Sequence, residues 1–260
     1  MSVFDGLKFR KVYSPIHNLD PRAKFIYVIA IFIAAIVFGQ IIPLLILFAI
    51  QIPFVVLARV QKQWLRSLRG ALLLATSIFL LNVLFGWIGA GYVLSPFTLE
   101  FSAAMTLRFI VLVESFSVFF LTTSPDMLGL ALEQSHVPYE FSFAFTTAVR
   151  FVPVLAEEAQ TIMDAQKARG LELEKGGFMK RIRNYVPVLI PLIVSAIRRS
   201  LELAEAMESR AWGAVKKRTN LYALTFHRGD YILLAITIVI LVVTVYIHFF
   251  VPVPTLTQLL

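Results

Sequence analysis

Long apolar runs, each bounded by charged or turn-forming residues, dominate the pattern of hydrophobic and polar positions along the chain. Phe25 to Gly39 begins directly after Arg22 and Lys24, and Ile41 to Ala58 follows a short turn around Gln40 and Pro43 and stops at Arg59. Ala71 to about Val93 follows Arg69, and Ala103 to Leu121 follows a polar break at Ser95, Pro96, Thr98 and Glu100. A last run, Tyr231 to Val251, comes after Arg228 and Asp230. Since a bilayer core requires roughly twenty apolar residues per spanning helix, these runs predict an all-α integral membrane protein with about five transmembrane helices.

Between Leu121 and Tyr231 the pattern changes. Fourteen of the 24 basic residues fall there, mixed with most of the acidic ones, so this stretch faces water. Pro153 to Arg169 alternates Glu157, Glu158, Asp164 and Lys167 with Leu155, Ala159, Ile162 and Met163 at helical spacing. A second amphipathic helix is predicted from about Ser195 to Ala211, with Ile197, Leu201, Ala204 and Met207 on one stripe. Val186 to Ile197 is apolar but too short to span, with Pro187 and Pro191 breaking its start, and is expected to lie buried under the membrane or inside the domain. Three regions result: a membrane region over 1–122 with four spans, a water-facing helical region over 123–230, and a final span within 231–260. No internal repeat or low-complexity tract interrupts them.

Composition agrees with this reading: 58% of residues are hydrophobic and 15% charged, against roughly a quarter charged in soluble proteins. The net charge of +8 would suggest nucleic acid in a soluble chain, but here Lys and Arg flank apolar runs, where they set orientation, and nucleic acid is set aside. The first 24 residues carry five basic residues, the 59–69 loop four, and the 122–230 segment fourteen. The Gln40 turn, the 94–102 loop and the 252–260 tail carry none. The positive-inside rule therefore places the N terminus and the large polar segment in the cytoplasm and the C terminus outside. The start, MSVFDGLKFRKVY, has no apolar core of a cleaved signal peptide.

Catalytic constellations are missing from the sequence. Cysteine is absent, which excludes disulfides and thiolate chemistry. No G-x-x-x-x-G-K-[ST] loop is present, so the chain is not expected to bind and hydrolyse ATP itself. His17, His136, His227 and His248 are scattered without zinc-site spacing, no G-x-S-x-G turn occurs, and the aspartates are dispersed along the chain. A non-enzymatic protein without metal or cofactor is expected. Arg108 and Glu114 interrupt the fourth run and have two readings. Either they line an ion or substrate path, or Arg108 snorkels to the interface and Glu114 bonds a neighbouring helix.

Two sites in the polar region carry more information. Ala168-Arg169-Gly170 ends the first amphipathic helix and Ser209-Arg210-Ala211 the second. Gly170 and Gly213 would serve as C-caps by accepting a left-handed conformation, and an arginine in the last turn suits the negative end of the helix dipole. Lysine would serve the dipole equally well, however. An arginine between small residues can instead extend its planar, multi-donor head into a groove of another protein.

With these residues in view, the chain resembles the transmembrane T component of energy-coupling factor (ECF) type ABC transporters. The resemblance rests on Ser14-Pro15-Ile16-His17-Asn18-Leu19-Asp20-Pro21-Arg22-Ala23-Lys24 before the first span and Thr123-Ser124-Pro125 after the fourth. It extends through Arg150-Phe151-Val152-Pro153 with Glu157, and through Ala206-Met207-Glu208-Ser209-Arg210-Ala211. It implies a multi-pass protein of a bacterial-type plasma membrane whose cytoplasmic coupling helices dock on two ABC-type ATPase subunits. Ala168, Arg169 and Gly170 would form one dock, and Ser209, Arg210 and Ala211 the other. The second departs from a strict Ala-Arg-Gly by its Ser and Ala. The resemblance further implies a small membrane partner, the S component, which binds a vitamin or metal ion. Val186, Leu189, Ile190, Leu192 and Ile193 would cradle it, although each also suits packing against the chain's own helices. A stand-alone secondary transporter or channel is the alternative, and would want polar groups spread through several spans or helices broken at mid-membrane.

Overall fold

The computed structural model describes residues 14–89, 95–135, 137–173, 175–214 and 223–250. Among them the chain is helical without strands: α1 (Pro21–Val37), α2 (Ile41–Ala58), α3 (Gln61–Gly89), α4 (Pro96–Thr122), α5 (Pro125–Gln134), α6 (Tyr139–Ala168), α7 (Phe178–Glu208) and α8 (Arg228–Phe250). The expected ends of the third and fifth runs, Val93 and Val251, and both chain termini lie outside the described residues. Two compact units result, one built on α1–α5 and α8, the other on α6 and α7.

In the first unit α4 packs against α1, α2 and α3, while α1 also packs on α8, α2 and α5. Small residues explain the central position of α1. Ala23, Ala30, Ala34 and Ala35 are inaccessible, together with Ile31, and their size lets neighbouring backbones approach closely. Four helices, α2, α3, α4 and α8, are long and apolar enough to cross a membrane. At 17 residues α1 lies at the short end of the spanning range. Apolar side chains such as Leu73, Phe85, Ile238 and Val242 are left exposed on these helices, which is the arrangement a lipid solvent favours. The protein is an all-α, multi-pass membrane protein.

Several boundaries depart from the sequence reading. The 59–69 segment is not a loop, because α3 begins at Gln61 and carries Lys62, Arg66 and Arg69 on its first turns. The charges mark where the membrane begins, not where the helix does. Only Arg59 and Val60 join α2 to α3. Arg59 adopts a left-handed conformation (φ 57°), and the Val60 N–H donates to the Val55 carbonyl at 3.4 Å. The Ser95-Pro96 break is itself the start of α4, since Ser95 Oγ accepts from the Thr98 N–H at 3.2 Å. No helix was expected at α5, which starts in the same way: Ser124 Oγ accepts from the Met127 N–H at 3.3 Å and Pro125 fills the first helical position.

The segment before α1 forms a buried polar knot. Asp20 caps α1 by accepting from the Arg22 N–H at 2.8 Å, and the Arg22 guanidinium grips the same carboxylate at 3.2 and 3.1 Å. Arg22 also donates to Gln134 Oε1 of α5 at 2.9 Å and lies over the Phe226 ring. The Asp20 N–H donates to Asp230 Oδ1 of α8 at 2.7 Å, and the His227 N–H donates to Asp230 Oδ2 at the same distance. Lys24, almost wholly buried, donates to the carbonyls of His17 at 3.3 Å and of Thr122, the last residue of α4, at 2.9 Å. Burial, reinforced by the nearby Lys24 charge, lowers the pKa of His17, an effect only partly offset by the backbone carbonyl of Leu121. Its Nδ1 pairs with Ser14 Oγ at 2.7 Å.

In the second unit, α7 is one helix of 31 residues that contains both Pro187 and Pro191. The sequence reading separates an apolar segment from an amphipathic helix here, and the structure joins them. A proline at 191 leaves the Pro187 carbonyl without its helical donor. Gln166 of α6 supplies one, Nε2 donating to that carbonyl at 3.2 Å. Likewise α6 begins at Tyr139 and runs through Pro153, fourteen residues before the expected start.

Candidate functional site

The two arginine sites occupy the same position in the same local structure. At the end of α6, the Leu171 N–H donates to the Gln166 carbonyl at 3.0 Å and the Gly170 N–H to the Lys167 carbonyl at 2.9 Å, with Gly170 left-handed at φ 88°. At the end of α7, the Trp212 N–H donates to the Met207 carbonyl at 3.0 Å and the Ala211 N–H to the Glu208 carbonyl at 2.9 Å, with Ala211 left-handed at φ 59°. Both are Schellman motifs. Arg169 and Arg210 each immediately precede the left-handed residue. The cap of α7 is therefore at Ala211, and the expectation of a cap at Gly213 is corrected, although Gly213 also has positive φ. For alanine this conformation is unfavourable by roughly 1–2 kcal/mol, so the chain holds strain at the second site that glycine relieves at the first.

Ala168, Arg169, Gly170, Ser209, Arg210 and Ala211 are all exposed. Among the described residues neither guanidinium makes a hydrogen bond or an ion pair. Each helix end has thus satisfied its last carbonyls through the backbone, leaving the arginine head free for another molecule.

Contacts between α6 and α7 set where the two arginines lie. Gln166 meets Pro187, and Glu158 bonds Ser195 and, at 3.1 Å, the guanidinium of Arg199. Rising positions on α7 meet falling positions on α6, so the helices run antiparallel. At the far end the Trp212 ring packs on Phe143 at 4.4 Å and on Tyr139 at 5.3 Å between centroids. Asn184 Nδ2 bonds the carbonyl of Glu172, just beyond Arg169, at 2.8 Å. From Asn184 to Arg210 is 26 residues, about 40 Å of helix. The arginines therefore project from opposite ends of one helical pair. The aromatic clamp that fixes the Arg210 end has no local sequence signal, since Tyr139 and Trp212 are brought together only by the hairpin.

The faces of α7 are disposed unusually. At 100° per residue, Ile182, Val186, Leu189, Ile193 and Ile197 fall within an arc of roughly 80°. Pro187, Ser195 and Arg199, which meet α6, lie on the opposite side. Polar groups thus face the neighbouring helix and apolar ones face outward. Val186, Leu189, Ile190 and Ile193 are 42–57% exposed and Leu192 is half-buried. Of the two alternatives expected for this segment, under the membrane or inside the domain, burial inside the domain is not met. Val188 alone in α7 is buried.

Arg108 and Glu114 do not form a pair. Arg108 Nη2 donates to the carbonyl of Phe38, the C-cap of α1, at 2.7 Å, and Glu114 is fully buried beside Ser67 of α3. Arginine here closes the end of a neighbouring helix.

The chain is thus an all-helical multi-pass membrane protein with a pair of long amphipathic helices ending in matched, exposed arginines. Residues 13–221 match the family described as CbiQ, cobalt transport protein. The energy-coupling factor transporter transmembrane protein EcfT of Thermanaerovibrio acidaminovorans is 35% identical over 242 residues, covering 86% of this chain and 88% of that protein. The EcfT proteins of Thermosediminibacter oceani and Staphylococcus aureus are each 32% identical, covering 84% and 91% of this chain and 87% and 94% of theirs. The chain belongs to this family, the transmembrane components of energy-coupling factor transporters.

Proposed function

We propose that the chain is the scaffold of an ECF-type ABC importer, passing ATP-driven motion from two ABC-type ATPase subunits to a membrane S component that binds a vitamin or metal ion. The observation that carries this reading is the pair of matching helix-end structures presenting Arg169 and Arg210 from opposite ends of α6 and α7. Two separated anchors on one rigid pair suit two separate ATPases, and motion of either partner is then felt by the same two helices. The outward apolar face of α7, with Val186, Leu189, Ile190 and Ile193 and with Leu192 at its edge, suits an apolar membrane partner, the S component.

The chain purified free of other subunits is expected to show no ATP hydrolysis. Reconstitution with two ATPases and an S component should produce both hydrolysis and uptake. Steady turnover by the chain alone would overturn the scaffold reading. The orientation proposed from the basic residues places the N terminus and Lys175 in the cytoplasm and Leu260 outside. Because the chain lacks cysteine, single cysteines at Ser2, Lys175 and Leu260 report this directly. An impermeant thiol reagent applied to intact cells should label only the last, and protection of that position would reverse the assignment.

A further inference from the structure

The amino-terminal half of α3 carries a surface that the scaffold reading does not use. Lys62, Arg66 and Arg69 are exposed and, with Leu65, line a shallow cleft of about 230 Å³. At 100° per residue the three cations fall within an arc of roughly 60°, and Leu73, Leu80 and Leu84 continue within the same arc. These leucines are 74%, 60% and 46% exposed. One face of one helix thus has about 10 Å of positive charge followed by about 16 Å of exposed hydrocarbon, at 1.5 Å per residue.

Among the described residues nothing neutralises the charge. No Asp or Glu occurs between Asp20 and Glu100, and among the described residues none of the three cations forms an ion pair. Glu114 of α4, beside Ser67, is fully buried and does not reach the cleft surface. Three like charges along two turns repel one another unless an anion sits among them.

We propose that this face of α3 is a binding site for an anionic phospholipid, its phosphate held among Lys62, Arg66 and Arg69 and one acyl chain lying along Leu73, Leu80 and Leu84. The ligand has the same order of chemistry as the helix face: a charged oxyanion at the interface and hydrocarbon behind it. Arginine adds paired donors that fit phosphate oxygens. An acidic protein segment would match the cations but not the leucines, which belong to the apolar part of a membrane-crossing helix. The proposal is independent of ATPase docking.

Native mass spectrometry of the full-length chain in detergent, with any subunits that accompany it, tests this by titration with phosphatidylglycerol and separately with phosphatidylcholine. A preference for phosphatidylglycerol is expected. The comparison variant replaces Lys62, Arg66 and Arg69 by Gln and Gln61, Gln63 and Gly70 by Lys. It keeps the charge that sets orientation but moves it off the stripe, and a Cβ added at Gly70 meets no neighbouring side chain within 4 Å. Its affinity for phosphatidylglycerol should fall about tenfold or more, to the level of phosphatidylcholine. Unchanged preference overturns the proposal. So does displacement of the lipid by millimolar inorganic phosphate, which would make the site one for free anions. Loss of a co-purifying acidic protein with lipid binding intact would assign the face to that protein instead. If the relocated variant fails to insert, Arg66→Gln alone should still weaken phosphatidylglycerol binding several-fold, and no change there overturns the proposal equally.

Discussion

Replacement of both Arg169 and Arg210 by alanine is expected to release the ATPases from the membrane subunit and abolish uptake, while the variant still inserts and folds. Both side chains are exposed and make no hydrogen bond or ion pair among the described residues, and both helix ends are closed by backbone hydrogen bonds that alanine preserves. Local stability should therefore fall by no more than about 0.3–1 kcal/mol through the lost dipole interaction. Docking losses are larger. An arginine in a desolvated groove makes charge-assisted hydrogen bonds, and truncating such an anchor typically costs about 2 kcal/mol or more, a factor of about 30 in affinity. Two anchors on one scaffold raise each other's effective concentration, so a single substitution should leave the complex assembled but transport sharply reduced. Lysine at either position should restore only part of the activity, because it keeps the charge without the planar fork. Co-purification in mild detergent and uptake into proteoliposomes measure the two effects separately. A double alanine variant that retains its ATPases and transports at the parental rate would reduce the two arginines to helix caps.

The arginine sites were legible because their signals are local: a small residue, an arginine and a small residue at the end of an amphipathic run. The same is true of α2, whose limits at Ile41 and Ala58 match the apolar run, since a turn precedes it and a charge follows it. Charge as a boundary failed for α3, where the helix continues beyond the apolar stretch and carries Lys62, Arg66 and Arg69 on its first turns. Proline as a boundary failed for α6 and α7. Pro153, Pro187 and Pro191 each remove one backbone donor, and the loss at Pro187 is made good by Gln166, a residue of another helix. Local rules could not supply that partner. The α7 cap shows the converse: Gly213 is the residue local preference selects, yet the backbone bonds close at Ala211. Least legible was the pairing of Asp20 with Asp230. They are 210 residues apart and carry like charge, and they meet because a backbone N–H of one faces the carboxylate of the other.

That pairing leads to the second large effect. Substitution of Asp230 by alanine is expected to destabilise the membrane unit by about 3–5 kcal/mol, seen as a lower melting temperature in detergent and poor yield. The carboxylate is inaccessible, and each oxygen accepts a backbone N–H at 2.7 Å, one at the start of α1 and one at the start of α8. Its removal leaves the buried Asp20 N–H unsatisfied, strips the part-buried His227 N–H of its acceptor and takes away a charge that attracts buried Lys24. Lys24 is itself committed to the carbonyls of His17 and Thr122, so the defect extends to the end of α4. Arg22→Ala is the comparison: its ion pair with Asp20 is partly exposed, at 24% on the arginine side, and its loss should cost less. A double-mutant cycle between Asp230→Asn and Lys24→Met separates charge from geometry. If the opposite charges of Lys24 and Asp230 stabilise the helices by attracting each other, the double variant should be less destabilised than the sum of the single ones, because neither charge is left buried without the other. Additive losses would assign the effect to the backbone hydrogen bonds of Asp230 alone. A variant lacking the Asp230 carboxylate that melts with the parent would show that α1 and α8 are held by apolar packing without the knot.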